Sequence, residues 1–106
     1  KLKLKIKVKP ILKVVNIKNF SVANSKLKLK WNKGSKGISG YQIQYSTDKF
    51  AHKKSKTCKG RNKNSIKLSK LKSGVLYYIR VRSYKKINGK KYYSSWSNSL
   101  LIKVYL

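Results

Sequence analysis

Short runs of alternating apolar and polar residues, separated by turn residues, predict an all-β fold. The expected architecture is an antiparallel β-sandwich or small barrel of about seven strands, with an extra strand at the N-terminus. Three observations carry this. The runs recur roughly every 8–12 residues, as in small β-domains. Their period is two, the period of a strand with one face buried. No stretch has a capped amphipathic pattern long enough for a helix.

The elements follow in chain order. Lys1 to Lys9 (KLKLKIKVK) alternates without a break, placing Leu2, Leu4, Ile6 and Val8 on one face. An amphipathic membrane helix would need apolar residues three and four apart, which this run lacks. Pro10 then interrupts the ladder. Ile11 to Ile17 is β-branched and reads as a strand. Lys26 to Trp31 puts Leu27, Leu29 and Trp31 on one face. A Gly/Ser-rich turn, Gly34 to Gly40, leads to Tyr41 to Tyr45, with Tyr41, Ile43 and Tyr45 inward and Gln42 and Gln44 outward. Ser55 to Lys59 is a short basic strand closed by Gly60, and Ser65 to Leu71 aligns Ile66 with Leu68. Tyr77 to Tyr84 directs Tyr77, Ile79 and Val81 inward, with Arg80 and Arg82 outward beside Tyr78 and Tyr84. Asn88-Gly89 marks a tight hairpin, because both residues tolerate positive φ. From Tyr92 the chain returns as a final strand ending LLIKVYL.

Composition narrows the chemistry. The chain has 106 residues, of which 40% are hydrophobic, enough for one core and one main domain. It carries 29 Lys+Arg against a single acid, Asp48, for a net charge of +28. One carboxylate cannot supply a two-carboxylate glycosidase site or a calcium cage. One Cys (Cys58) and one His (His52) cannot make a structural zinc site or an internal disulfide. Asp48 and His52 flank Phe50, but no nucleophile, base and orienter converge there; Asp48 reads as a turn cap and His52 as exposed. No enzyme and no cofactor are expected. Cys58 reads as a half-buried strand residue; exposed among lysines, it would instead have a lowered pKa. No apolar run approaches the ~20 residues that span a bilayer. The absence of Met predicts a processed product or a segment of a longer chain.

The charge has three readings: a polyanion-binding surface, a solubility device, or the Lys/Asn/Ile/Tyr bias of an AT-rich genome. Many lysines occupy the outward positions of alternating strands, so much of the charge is the polar half of the strand pattern.

From about Pro10 to Leu106 the chain resembles a fibronectin type III domain. Trp31 sits where that family has the core Trp of its second strand, and Tyr41-Ile43-Tyr45 looks like its third. Leu71, Gly74 and Tyr77 reproduce the L-x-x-G-x-x-Y of its tyrosine corner, in which the Tyr hydroxyl bonds upstream backbone. Tyr77-Tyr-Ile79-Arg-Val81-Arg follows in its strand pattern. GYQIQYSTD and YYIRVRSYKKINGKKYYSSWS are similar to Lys-rich modules of bacterial surface and secreted proteins. The resemblance implies a seven-stranded immunoglobulin-like sandwich and a non-enzymatic extracellular module for adhesion, protein contact or spacing, often in tandem. Two features depart from it. The loop Lys85 to Tyr93 has no Arg-Gly-Asp, and acids are nearly missing.

Tyr93-Ser-Ser-Trp96-Ser97 resembles part of the WSxWS box of cytokine-receptor type III domains, which implies Trp96 stacked between Arg80 and Arg82. Arg80, Arg82, Lys85, Lys86, Lys90 and Lys91, interleaved with Tyr78, Tyr84 and Tyr92, form a candidate surface for anionic polymers: cell-wall polymer, nucleic acid or acidic glycan. With no base-reading motif, contact with nucleic acid would be led by phosphate. Residues 1–9 allow three readings: the end of a preceding module or linker, an extension of the module's own first strand, or a strand that pairs with another copy. The first makes residues 10–106 a binding and spacer module beside neighbouring domains. The last makes the chain a subunit that assembles into a filament.

Overall fold

The computed structural model describes residues 12–23, 26–51 and 53–105. Among them eight strands run in the order β1 Ile17–Ala23, β2 Lys26–Trp31, β3 Gly40–Ser46, β4 Lys54–Lys59, β5 Ser65–Leu68, β6 Val75–Ile87, β7 Lys90–Tyr93 and β8 Leu100–Val104. They form two antiparallel sheets. One has the order β1-β2-β5; the other has β4-β3-β6, with both β7 and β8 on the far edge of β6. No described residue is helical.

The period-two pattern decides which face of each strand is buried. On β2, Leu27, Leu29 and Trp31 are wholly buried while Lys26, Lys28 and Lys30 face water. On the opposing sheet, Tyr41, Ile43, Tyr45, Tyr77, Ile79 and Val81 point inward. These two sets, with Val15, Ile38, Leu68, Leu71 and Val104, make one core. Trp31 and Tyr41 meet edge to face across it, with centroids 5.4 Å apart at 71°, the geometry favoured by ring quadrupoles.

Four boundaries differ from the sequence reading. The first strand begins at Ile17, not Ile11, and Ile11 lies outside the described residues. The adjacent Val14 and Val15 break the alternation, so only Val15 is buried. The segment is instead tied down by Asn16, whose N–H donates to Asn32 Oδ1 (2.8 Å) and whose carbonyl accepts from Asn32 N–H (3.3 Å). β5 ends at Leu68 because Lys70 takes a left-handed φ of 59°, which no ladder continues. β6 runs longer than expected, from Val75 to Ile87, because β8 pairs with its first part and β7 with its last. The expected single final strand is two pieces, β7 and β8, separated by residues 94–99. The extra N-terminal strand through Leu2, Leu4, Ile6 and Val8 lies outside the described residues, as does His52.

Asn88 and Gly89, with φ of 51° and 80°, close the two-residue β6–β7 turn. Gly40 is required by contact. A Cβ there would collide with the Cys58 carbonyl and lie 3.0 Å from the Tyr84 ring, which packs over the glycine.

Candidate functional site: the aromatic and cationic face

The outer face of the five-stranded sheet is built by register. Gln44 lies directly opposite Arg80, and Gln42 opposite Arg82, across the β3–β6 pair. Arg80 donates from Nε (3.0 Å) and from a terminal nitrogen (2.6 Å) to Gln44 Oε1; Arg82 Nε donates to Gln42 Oε1 at 2.8 Å. Each guanidinium is thereby held flat to the sheet, and rings stack on it. Arg80 lies 4.1 Å from the Phe50 centroid and 4.2 Å from Trp96. Arg82 lies 4.2 Å from Trp96 and 3.6 Å from Tyr93. The result is a ladder in the order Phe50, Arg80, Trp96, Arg82, Tyr93, with Trp96 between both cations. Burial against the rings pushes both guanidinium pKa values down from their ordinary range. At Arg82, Tyr93 opposes this effect and Arg80 adds to it.

The segment between β7 and β8 positions Trp96. Ser94 and Ser97 each replace one ladder residue with a backbone and side-chain pair. Ser94 N–H donates to the Ser83 carbonyl (3.0 Å) while Ser83 N–H donates to Ser94 Oγ (3.0 Å). Ser97 N–H donates to the Val81 carbonyl (2.8 Å) while Val81 N–H donates to Ser97 Oγ (3.0 Å). The backbone groups of β6 thus stay paired where the neighbouring strand leaves the sheet, and the extra residues swing Trp96 onto the outer face.

Phe50 reaches the ladder at a conformational cost. Lys49 and Phe50 both adopt left-handed φ values, 53° and 69°. Ser46 Oγ accepts the Phe50 N–H at 2.6 Å and the Asp48 carbonyl accepts the Ala51 N–H at 3.2 Å, fixing the turn. The sequence reading gave Phe50, Gln42 and Gln44 no role in the site, and named Tyr93, Ser94 and Ser97 only as part of the motif around Trp96. A signal was present for the glutamines: Q-x-Q on one strand can face R-x-R on its neighbour. Phe50 had none, because its position depends on a strained turn.

The other candidates divide around this ladder. Tyr78 packs edge-on to Phe50 with centroids 6.3 Å apart. Tyr84 is only 4% exposed, so its ring is part of the packing. Beyond it, the β6–β7 hairpin projects Lys86 and Lys91, directly opposite one another, on the ladder face; Lys91 Nζ is 4.9 Å from the Tyr84 centroid. The reverse face carries Lys85 opposite Tyr92, and Lys90 Nζ sits 5.5 Å from the Tyr92 ring. Facing lysines repel across a strand pair, so a polyanion laid over them would relieve local strain. Arg80 and Arg82 are engaged with rings and glutamines, whereas Lys86, Lys90 and Lys91 are exposed and Lys85 is half-buried.

Elsewhere, Tyr77 Oη accepts the Lys72 N–H at 2.7 Å, the tyrosine-corner bond. Tyr41 Oη accepts from Gly34 N–H (3.0 Å) and donates to the Arg61 carbonyl (2.7 Å), while Arg61 Nε donates to the Gly34 carbonyl (2.9 Å), closing one end of the core. Cys58 is half-buried, and burial pushes its thiol pKa up with Lys63 acting in the opposite direction. The lowered pKa expected of an exposed thiol therefore does not arise. Among the described residues no three of His, Cys, Asp and Glu are grouped as metal ligands.

The fibronectin type III domain family model matches residues 13–99. Among solved structures the chain is similar to chicken CNTN1 FN1-FN3 domains, with 24% identity and a TM-score of 0.73, covering 92% of this chain and 32% of that one. It is also similar to a structure described as a myokine, with 17% identity and a TM-score of 0.64, covering 86% of this chain and 97% of that one. At these identities the structural likeness concerns the fold. No curated protein matches the sequence.

Proposed function

The chain belongs to the fibronectin type III family, and from that premise we propose that it is a non-enzymatic binding and spacer module of a bacterial cell-surface or secreted protein. It works outside the cell, and its cationic surface contacts anionic polymers. Domains of this family are commonly extracellular and generally non-catalytic. The observation that carries the polymer contact is the β6–β7 hairpin, where Lys86 and Lys91 set like charges face to face on one side and Lys85 and Lys90 flank Tyr92 on the other. The Arg80–Trp96–Arg82 ladder is the scaffold beneath it. The bacterial setting rests on the Lys-rich character of GYQIQYSTD and YYIRVRSYKKINGKKYYSSWS.

Replacing the four hairpin lysines with serine should reduce affinity for heparin or a teichoic-acid-type polymer by at least ~tenfold at low salt, with unchanged melting. Unchanged affinity would remove the hairpin from the site. Losing about 1.4 kcal/mol is tenfold, which is modest for several charge-assisted contacts.

A second reading, assembly by strand addition through residues 1–9, is favoured by one edge. Among the described residues β1 pairs only with β2, and its stretch NFSVA carries no cation, in a chain with 29. Phe20 and Val22, opposite the buried Leu29 and Leu27, are still 53% and 43% exposed. A stretch of edge strand without charge is where a further strand pairs. Sedimentation of the chain with and without residues 1–9 decides this. Assembly lost on deletion supports strand addition; a monomer in both cases, or assembly that survives, excludes it.

A further inference from the structure

One cleft lies away from the aromatic ladder, between the β3–β4 edge and the connection from β5 to β6, with a volume of about 200 Å³. Resting on the reading of a polyanion-binding module, we propose that this cleft is a specific seat for one sugar unit of an anionic glycan. Its charged group (phosphate, sulfate or carboxylate) would be held by Lys54, Lys70 and Lys72.

Three features support a site over a stretch of lysine-rich surface. First, the cations come from separate elements: Lys54 opens β4, while Lys70 and Lys72 belong to the β5–β6 connection. An adjoining groove brings Lys56 and Ser55 to the same rim. Second, the walls are fixed. Lys70 is held in the left-handed region at φ 59°, the Lys72 backbone N–H is bonded to Tyr77 Oη at 2.7 Å, and Tyr45 forms a buried floor. A site organised before binding loses less freedom when it is filled. Third, the lining has no carboxylate. With three lysines and no acid in the lining, the cleft is complementary to an anion.

The lining also favours sugar over nucleic acid. Thr47 and Ser69 line the cleft, and their hydroxyl side chains suit the hydroxyls of a saccharide. Tyr45 and Tyr77 are 7% and 6% exposed, so neither offers a ring face for base stacking, on which single-stranded nucleic acid binding depends.

The test is calorimetric titration of the full chain with a heparin-derived tetrasaccharide, its desulfated counterpart, a phosphorylated oligosaccharide and an oligonucleotide of equal charge. Two variants are compared: Lys54→Ser with Lys70→Asn and Lys72→Ser, and Lys26→Ser with Lys28→Ser and Lys30→Ser on the opposite sheet. Both remove the same charge, and asparagine tolerates the backbone of position 70. The expected result is a loss of at least ~tenfold in affinity for a charged oligosaccharide in the cleft variant, against a few-fold loss in the control. Whichever charged sugar binds more tightly identifies the anionic group. Equal losses in the two variants, or tighter binding of the oligonucleotide, overturn the cleft assignment and leave polyanion binding standing. A wild-type chain that binds none of the charged probes overturns the functional reading as well. Amide shift mapping on the unmutated chain gives a readout independent of variant folding: shifts at Thr47, Lys54 and Ser69 support the cleft, and shifts confined to the β6–β7 hairpin overturn it.

Discussion

Trp96 shows how one residue's role depends on what its neighbours leave available. Its ring lies 4.2 Å from each of two guanidinium groups, both already held by glutamine oxygens. Such an arrangement stiffens a sheet face and leaves little cation free for a ligand. At ~0.5–1 kcal/mol per exposed cation–π contact, Trp96→Ala should lower unfolding free energy by about 1–2 kcal/mol in denaturant titration. Polyanion affinity should stay nearly intact. A large affinity loss with unchanged melting would make Trp96 a ligand residue. The ladder was partly legible from the sequence, since R-x-R followed by S-S-W-S places Trp96 near two outward cations. Its ends were not. Tyr93 joins because register brings it beside Arg82, and Phe50 because two residues accept left-handed backbone.

At the scale of elements, period-two alternation identified β2, β3 and β6, whose apolar positions are buried as the pattern requires. Alternation failed where hydrogen bonding, not burial, sets the element. Ile11 to Ile17 has β-branched content, yet only Ile17 joins the ladder, and an Asn16–Asn32 pair ties down the residue before it. The last strand breaks in two because Ser94 and Ser97 each satisfy β6 with a hydroxyl, and a pattern of apolar residues carries no trace of that exchange. The connection into β6 was readable, since L-x-x-G-x-x-Y encodes both the buried Leu71 and the bond from Lys72 N–H to Tyr77 Oη. Tyr77→Phe leaves that partly buried donor unmet. It should cost about 1–3 kcal/mol, read as a lower denaturation midpoint with unchanged m-value. A loss below ~0.5 kcal/mol would show that solvent replaces the bond.

For the molecule as a whole, a charge of +28 with one acid poses two separate questions. Much of the charge sits at outward strand positions such as Lys26, Lys28 and Lys30, where any polar residue would satisfy the fold. The pairs Lys28 with Lys67 and Lys86 with Lys91 go further, because they set like charges directly opposite each other. A sandwich needs polar residues there, but it does not need cations on both strands. That excess is the basis for expecting anionic partners, and a field spread over a surface has a distinctive salt response. The most direct test is the affinity of the full chain for a heparin-like or wall-type polyanion, measured from low to physiological salt. Contact through the cationic surface predicts a steep linear fall of log affinity with log salt concentration. Absent binding, or binding that salt leaves unchanged, would contradict it.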